Sequence, residues 1–228
     1  MTIRQIITKV MSDGWTIEEH YDHAEGLKNQ YFFDKQKAPS IKMVDKISQQ
    51  YAAYTLIDKD LRSVIFWLEE IERQSPEHLD RVKNPDKMNL IKGLFISALT
   101  FYGKCFTSCE GRRLKLDRNK HISEEHRKTH DQVMKLRHNF AAHSGAENFE
   151  EVQVSLVLHP SEESNMKPQL YTELKQPDWV SKDSLDFISL AKYLQKTIKE
   201  KRDSVGDKVL ETIVQPKGKS YWYNKAES

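Results

Sequence analysis

Cysteine is scarce in this chain of 228 residues: there are only two, Cys105 and Cys109. A disulfide-stapled scaffold is excluded at that density. Both lie in one apolar run, four residues apart, so on a helix they share a face. They read as reduced core residues of an intracellular protein, and no partners at metal-ligand spacing stand near them. No apolar run is long enough to span a bilayer. The opening "MTIRQIITKVMSDGW" lacks the apolar length and small-residue site of a signal peptide. The sequence also lacks a glycine-rich phosphate loop, a Ser-His-Asp arrangement in strand–turn context and a dinucleotide fingerprint. Kinase, NTPase and hydrolase-triad readings therefore have nothing to stand on. The expected location is the cytoplasm, with no membrane partner and no cofactor.

One-sided charge is missing too. Lys and Arg number 36 against 34 Asp and Glu, for a net charge of +2. That is not the excess of a non-specific DNA binder. The charge is uneven, however. "GRRLKLDRNKH" gathers Arg112, Arg113, Lys115, Arg118 and Lys120 in one short run. Such a run is a solvated helix end and loop, or a patch that tracks phosphates.

What is present is helical periodicity. Charged residues make up 31% of the chain, which suits a helix-rich protein able to bury a core without staples. Residues 1–14 read as a short helix ending at Gly14. Residues 15–40 have no clean period and read as a hairpin or an irregular arm leading to Pro39. A long helix capped by Ser40 follows, with Ile41, Val44, Ile47, Tyr51, Tyr54, Leu61, Val64, Ile65, Leu68 and Ile71 in steps near three and four. A second helix after Pro85, "MNLIKGLFISALTFYGKCF", is apolar on most faces and belongs at the centre of a bundle. A third starts at Ser123, with Val133, Leu136 and Phe140 as its core stripe and Gly145 to end it. "EEVQVSLVLHP" and "PQLYTELKQ" then alternate with the period of strands, joined by the polar "SEESNMK". A fourth helix runs from about Ser184 and continues or restarts after Gly206. The expected fold is mainly α, a four-to-five-helix bundle with a small β-hairpin between the third and fourth main helices. The expected division is an N-terminal helix and arm over 1–39, a helical domain over 40–214 with the hairpin at about 150–175, and a tail over 215–228.

The stretch that carries chemistry is "KLRHNFAAHSG", residues 135–145. It sets Arg137, His138 and Asn139 before Phe140-Ala141-Ala142 and His143. Arg and His near a helix end are common simply because cations suit its negative terminus. On one straight helix His143 would point roughly 120° from Arg137 and sit roughly 9 Å along the axis. A joint site needs the helix to unwind at Ala141-Ala142, or two copies to meet about a two-fold axis. Together, Arg and His support RNA cleavage without a metal. A neutral His143 takes the ribose 2′-OH proton. Arg137 holds the scissile phosphate in a bidentate grip. His138 or Asn139 bonds a phosphate oxygen or supplies the leaving group's proton.

"LRHNFAAHS" resembles the Arg-x(4–6)-His motif of HEPN-domain proteins, which carry a polar residue directly after the Arg. Residues from about 40 to 214 are similar in layout to that family's helical bundle, with the hairpin as an insertion. The resemblance implies a metal-independent endoribonuclease that leaves 2′,3′-cyclic phosphate and 5′-hydroxyl ends. It implies a homodimer whose Arg and His residues line one cleft, in a prokaryotic toxin or antiviral defence system. Arg137, His138, Asn139 and His143 are the positions that match. With no sensor domain in the chain, control would come from a separate antitoxin or regulatory protein. The alternative within the family is a catalytically inactive module that binds RNA or a protein partner. Outside it stands an ordinary helical interaction protein in which Arg137 and His143 only cap a helix.

His126 and His130 have the i, i+4 spacing that can bind zinc, but Arg127 and Lys128 between them disfavour a cation, and His130 is read instead as bordering the cleft. "EEHYDHAE" sets Glu18, Glu19, His20, Asp22, His23 and Glu25 together, as a metal site or a solvated polar arm. "SYWYNK" puts Tyr221, Trp222 and Tyr223 among lysines, which suits stacking on unpaired bases or docking of the tail.

Overall fold

The structure, a computed structural model, describes residues 6–11, 13–22, 26–74, 78–80, 83–108, 114–138, 151–175 and 181–227. It is mainly helical, with small antiparallel sheets. The chain divides into two units, residues 1–49 with 206–228, and residues 50–205.

In the first unit, β1 (Ile6–Val10), β2 (Trp15–Asp22), β3 (Gly26–Phe33) and β4 (Gln36–Lys37) form one antiparallel sheet in chain order. This corrects the expected helix over 1–14. Ile6, Ile7, Thr8 and Val10 are β-branched and pair with β2, from Ile6↔His20 to Val10↔Thr16. Asp13 and Gly14 turn the chain back with φ of 60° and 81°. A Cβ on Gly14 would stand 2.7 Å from Asp34 Oδ1. The arm over 15–40 is likewise mostly strand, in register from Trp15↔Phe33 to Asp22↔Gly26. Asp34 and Lys35, with φ of 44° and 65°, make the two-residue turn into β4. Positive φ at both central residues matches the twist of the flanking strands.

The long helix α1 (Lys46–Arg73) begins later than Ser40. Asp45 caps it: Oδ1 accepts the backbone N–H of Ile47 at 3.0 Å and of Ser48 at 2.9 Å. Two free helical donors are thereby satisfied.

In the second unit, α1 is followed by α2 (Pro85–Phe106), the single turn α3 (Arg118–His121), α4 (Glu124–Leu136), β5 (Glu151–Val157), β6 (Gln169–Lys175) and α5 (Ser181–Val209). Pro85 fits the first turn of α2, where its missing N–H costs nothing. Ile57, Leu61, Val64, Leu68 and Ile71 of α1 are fully buried at steps of three and four. They share one core cluster with Leu99, Tyr102 and Cys105 of α2 and with Leu190, Leu194 and Ile198 of α5. Cys105 is a buried thiol that donates to the carbonyl of Phe101 at 3.3 Å; Cys109 lies outside the described residues.

Two carboxylates on α1, Asp58 and Asp60, are buried. Asp60 lies 3.3 Å from Lys104 Nζ of α2 and 3.2 Å from Lys59 Nζ. Asp58 accepts from Gln195 Nε2 of α5 at 3.1 Å, with Arg62 at 3.4 Å and Arg202 at 3.7 Å. Charge is tolerated there because each oxygen faces a cation or an amide.

Strands β5 and β6 pair antiparallel from Glu151↔Lys175 to Val157↔Gln169. Their alternation puts Val152, Val154, Leu156 and Leu170 on one face, and that face is exposed. The helix α5 runs through Gly206 without a break. It passes into a π turn at Leu210–Val214 and a 3-10 turn at Gln215–Lys217, then α6 (Gly218–Glu227).

Candidate functional site

Helix α4 carries the opening of the motif. Glu124 and Glu125 fill its first turn and Lys135 its last, in the order the helix dipole favours. Ser123 holds the N-cap position with φ −64° and ψ 156°, but its hydroxyl makes no capping bond. Arg137 is the C-cap. It keeps helical dihedrals, φ −58° and ψ −44°, and its N–H is shared between the carbonyls of Met134 and Val133. The winding loosens into a π turn at Arg137 and His138. Such widened turns open a helix end and recur at functional sites.

The Arg137 side chain lies across α2 at Gly103. A Cβ on that glycine would stand 3.0 Å from each of Arg137 Cγ, Cδ and Nε. Gly103 is itself buried in the interior of a helix, where glycine costs about 1 kcal/mol against alanine. The close passage of Arg137 gives that cost a physical reason. The guanidinium stem is half-buried. A guanidinium with its stem packed this way loses less freedom when it grips a phosphate or carboxylate.

His138 follows and is exposed. Asn139 and His143, the remaining expected site residues, lie outside the described residues, as do Phe140 and Gly145.

His130 sits on α4 but does not border open space. It is 4% exposed, and its Nδ1 lies 2.7 Å from the hydroxyl of Tyr102. Its ring stands 4.5 Å from that of Phe106. Burial pushes its pKa below the ordinary histidine value; Asp131 opposes that and Arg118 adds to it. Burial pushes the Tyr102 phenol strongly up. The pair is thus a protonated phenol against a neutral imidazole. The assignment of His130 to RNA contact gives way to a role inside the core, because its side of α4 faces α2.

The basic run is only partly a free cationic patch. Lys115 and Lys120 are exposed. Arg118 is held by Asp131 through two contacts of 2.6 Å, Nε to Oδ1 and Nη2 to Oδ2. That bidentate bond holds the Asp131 carboxyl below its usual range. Arg118 is thereby an α3–α4 clamp rather than an open phosphate ligand. Asp117 caps α3 by accepting from Asn119 N and Lys120 N. Leu116, His121 and Ile122 are buried beneath it, and burial lowers the pKa of His121. Arg112 and Arg113 lie outside the described residues.

Of the residues weighed as metal ligands, His23 and Glu25 lie outside the described residues. The His126 ring packs on Tyr193, with centroids 4.8 Å apart, while His130 is bonded to Tyr102. In β2, Glu19 pairs with Lys9 at 2.6 Å, while His20 Nε2 lies 3.4 Å from Glu18. Among the described residues no three His, Cys, Asp or Glu side chains are grouped to hold a metal ion. No helix among them is long and apolar enough to cross a membrane.

The sequence pattern reads Tyr102 as a core aromatic of its helix but does not mark Gly103, Asp58 or Asp60. Gly103 alone left a trace, as an isolated glycine inside an apolar helical run. No family model, no curated protein and no solved structure matches the chain.

Proposed function

We propose that this chain is a HEPN-like, metal-independent endoribonuclease. The observation that carries the reading is Arg137 at the loosened end of α4, its stem laid over Gly103 of α2 and His138 directly after it. An arginine at a helix end and a histidine six residues on are the two groups that ribose-directed cleavage without a metal needs, once they are brought into one cleft. In this reading neutral His143 accepts the 2′-OH proton as the 2′ oxygen attacks phosphorus. Arg137 stabilises the charge that grows on the non-bridging oxygens. The bond to the 5′ oxygen breaks, and a protonated His138 delivers a proton to it, while Asn139 hydrogen-bonds a phosphate oxygen. The products are a 2′,3′-cyclic phosphate and a 5′-hydroxyl. DNA lacks the nucleophile and survives. Two protomers supply the cleft, and a separate regulatory protein restrains it in a toxin or defence setting.

The test is cleavage of total RNA and tRNA in EDTA by wild type, Arg137→Ala and His143→Ala. The expected result is cleavage by wild type and its loss in both variants at unchanged thermal stability. Equal cleavage by all three would mean a contaminating nuclease and would leave the site unsupported.

A further inference from the structure

The ribbon of β5 and β6 carries an apolar face that stands open. Pairing across the strands sets Val154 opposite Thr172 and Leu156 opposite Leu170, with Val152 next along β5. Val152, Val154, Leu156 and Leu170 are all more than half exposed, from 57% for Val152 to 71% for Leu170. Leu158, just past β5, is exposed as well. The opposite face is of different make. Gln153, Ser155, Gln169 and Glu173 alternate with the apolar set, and the Tyr171 hydroxyl donates to Gln169 Oε1 at 3.0 Å. Strands patterned in this way are built to bury one face. Yet none of these apolar side chains joins the core cluster, and among the described residues no third strand pairs with the ribbon. A two-stranded ribbon is marginal in water until its apolar face is covered.

We infer that this face is where a second copy of the chain docks, ribbon against ribbon about a two-fold axis, in a weak, concentration-dependent dimer. Size sets the strength. A Val or Leu side chain carries about 100 Å² of apolar surface, so the five offer roughly 500 Å² per copy. Two copies together bury roughly 1,000 Å², the least that a specific interface needs and well short of an obligate one. Composition sets the occupant. Val152, Val154, Leu156 and Leu170 bring no charge and no amide, and Thr172 alone among them adds a polar group. A foreign partner is ordinarily selected by charges and hydrogen bonds that this face lacks. A two-fold axis lays the patch on itself, so the match in apolar character is automatic. Two ribbons stacked this way make a small two-layer sandwich, with the Val154 and Thr172 pair mid-face and nearest the axis. A lipid surface fails for a separate reason. Among the described residues both strands are edges, and their unpaired N–H and C=O groups cannot enter hydrocarbon. The inference goes beyond the cleavage reading, which asks for two protomers but names no surface, and it stands without that reading.

The test is sedimentation velocity of the full chain from about 1 to 200 µM, the span in which an interface at this size limit associates. Wild type should pass from monomer to dimer across it. Val154→Lys and Val154→Glu should each weaken association about tenfold or more, because like charges meet near the axis. An equimolar mixture of the two should recover the dimer, since opposite charges then face each other. Gln153→Lys, on the opposite face, should associate like wild type. Residues 153 and 154 are both exposed, so thermal melts at about 1 µM, where wild type is monomeric, should agree for every variant. Arg137→Ala should associate like wild type, which separates association from cleavage. The inference is overturned if wild type stays monomeric throughout, which would leave the face to a foreign partner. It is equally overturned if Val154→Lys dimerises as wild type does, if Gln153→Lys disrupts the dimer as much, or if the charge-paired mixture stays monomeric.

Discussion

At the residue scale, the arrangement turns on what lies under Arg137. The motif shows in the sequence as an Arg-to-His spacing, but the bed that holds the arginine does not. Gly103 is 34 positions earlier on another helix, and only packing brings it beneath Cγ, Cδ and Nε. Gly103→Ala is therefore expected to displace Arg137 and cut RNA cleavage by about tenfold or more, since small misplacements near the chemistry carry such costs. The melting temperature should hold or rise slightly, because alanine gains about 1 kcal/mol of helix propensity and offsets the crowding. Cleavage assays beside thermal melts check this; unchanged cleavage would detach Gly103 from the site. The Tyr102–His130 pair was half hidden, since the helical stripe marks Tyr102 as core but nothing in the sequence marks His130 as its buried partner. Tyr102→Phe leaves a buried imidazole nitrogen without its partner and should cost about 1–3 kcal/mol in denaturant unfolding.

The same histidines set a pH dependence. Burial lowers the pKa of His130 and of His121 in the folded chain from the ordinary 6.5. The unfolded chain therefore takes up protons first as pH falls. Their contribution to stability is complete above about pH 6.5 and declines as pH drops below it toward the lowered folded values. Urea unfolding between about pH 5 and 8 should show this slope, and His130→Gln should make it shallower. A stability that rises on acidification through this window would contradict the assignment.

At the element scale, the long helices are legible because their apolar positions recur at three and four and Pro85 marks a start. The first strand is not. Ile3, Ile6, Ile7 and Val10 fit a helical stripe as well as a strand, and the period alone cannot decide. The deciding signal is Asp13-Gly14, a turn pair that needs positive φ and closes β1 onto β2. Asp45 rather than Ser40 starts α1 for a similarly local reason, since its carboxylate reaches two backbone donors. Two substitutions test these elements. Asp45→Ala should cost about 1 kcal/mol. Gly14→Ala combines a strained φ with an approach of 2.7 Å to Asp34 Oδ1, and should destabilise the sheet by about 1 kcal/mol or more. Hydrogen exchange of the β1 and β2 amides reads the second directly. Full protection in the variant would mean that the turn does not set the register.

At the scale of the whole molecule, a mainly helical chain was readable from composition and periodicity. Its division at 49/50 and 205/206 was not. Those boundaries fall inside α1 and α5, and no linker composition marks them. The basic run shows the limit of reading charge along a sequence: Arg118 counts as a phosphate ligand until Asp131, thirteen residues on, is found gripping it. Partners of this kind belong to the fold and not to the local pattern.

The proposed activity stands or falls on the ribose 2′ oxygen, because Arg137 and His143 are assigned to its attack. The most direct measurement compares an RNA oligonucleotide carrying a mapped cleavage site with the same strand made 2′-deoxy at that one nucleotide, in EDTA. Cleavage of the first to a 2′,3′-cyclic phosphate, with the second left intact and Arg137→Ala inactive on both, is the predicted result. Cleavage of the deoxy strand at the same bond, or activity retained in Arg137→Ala, would contradict it.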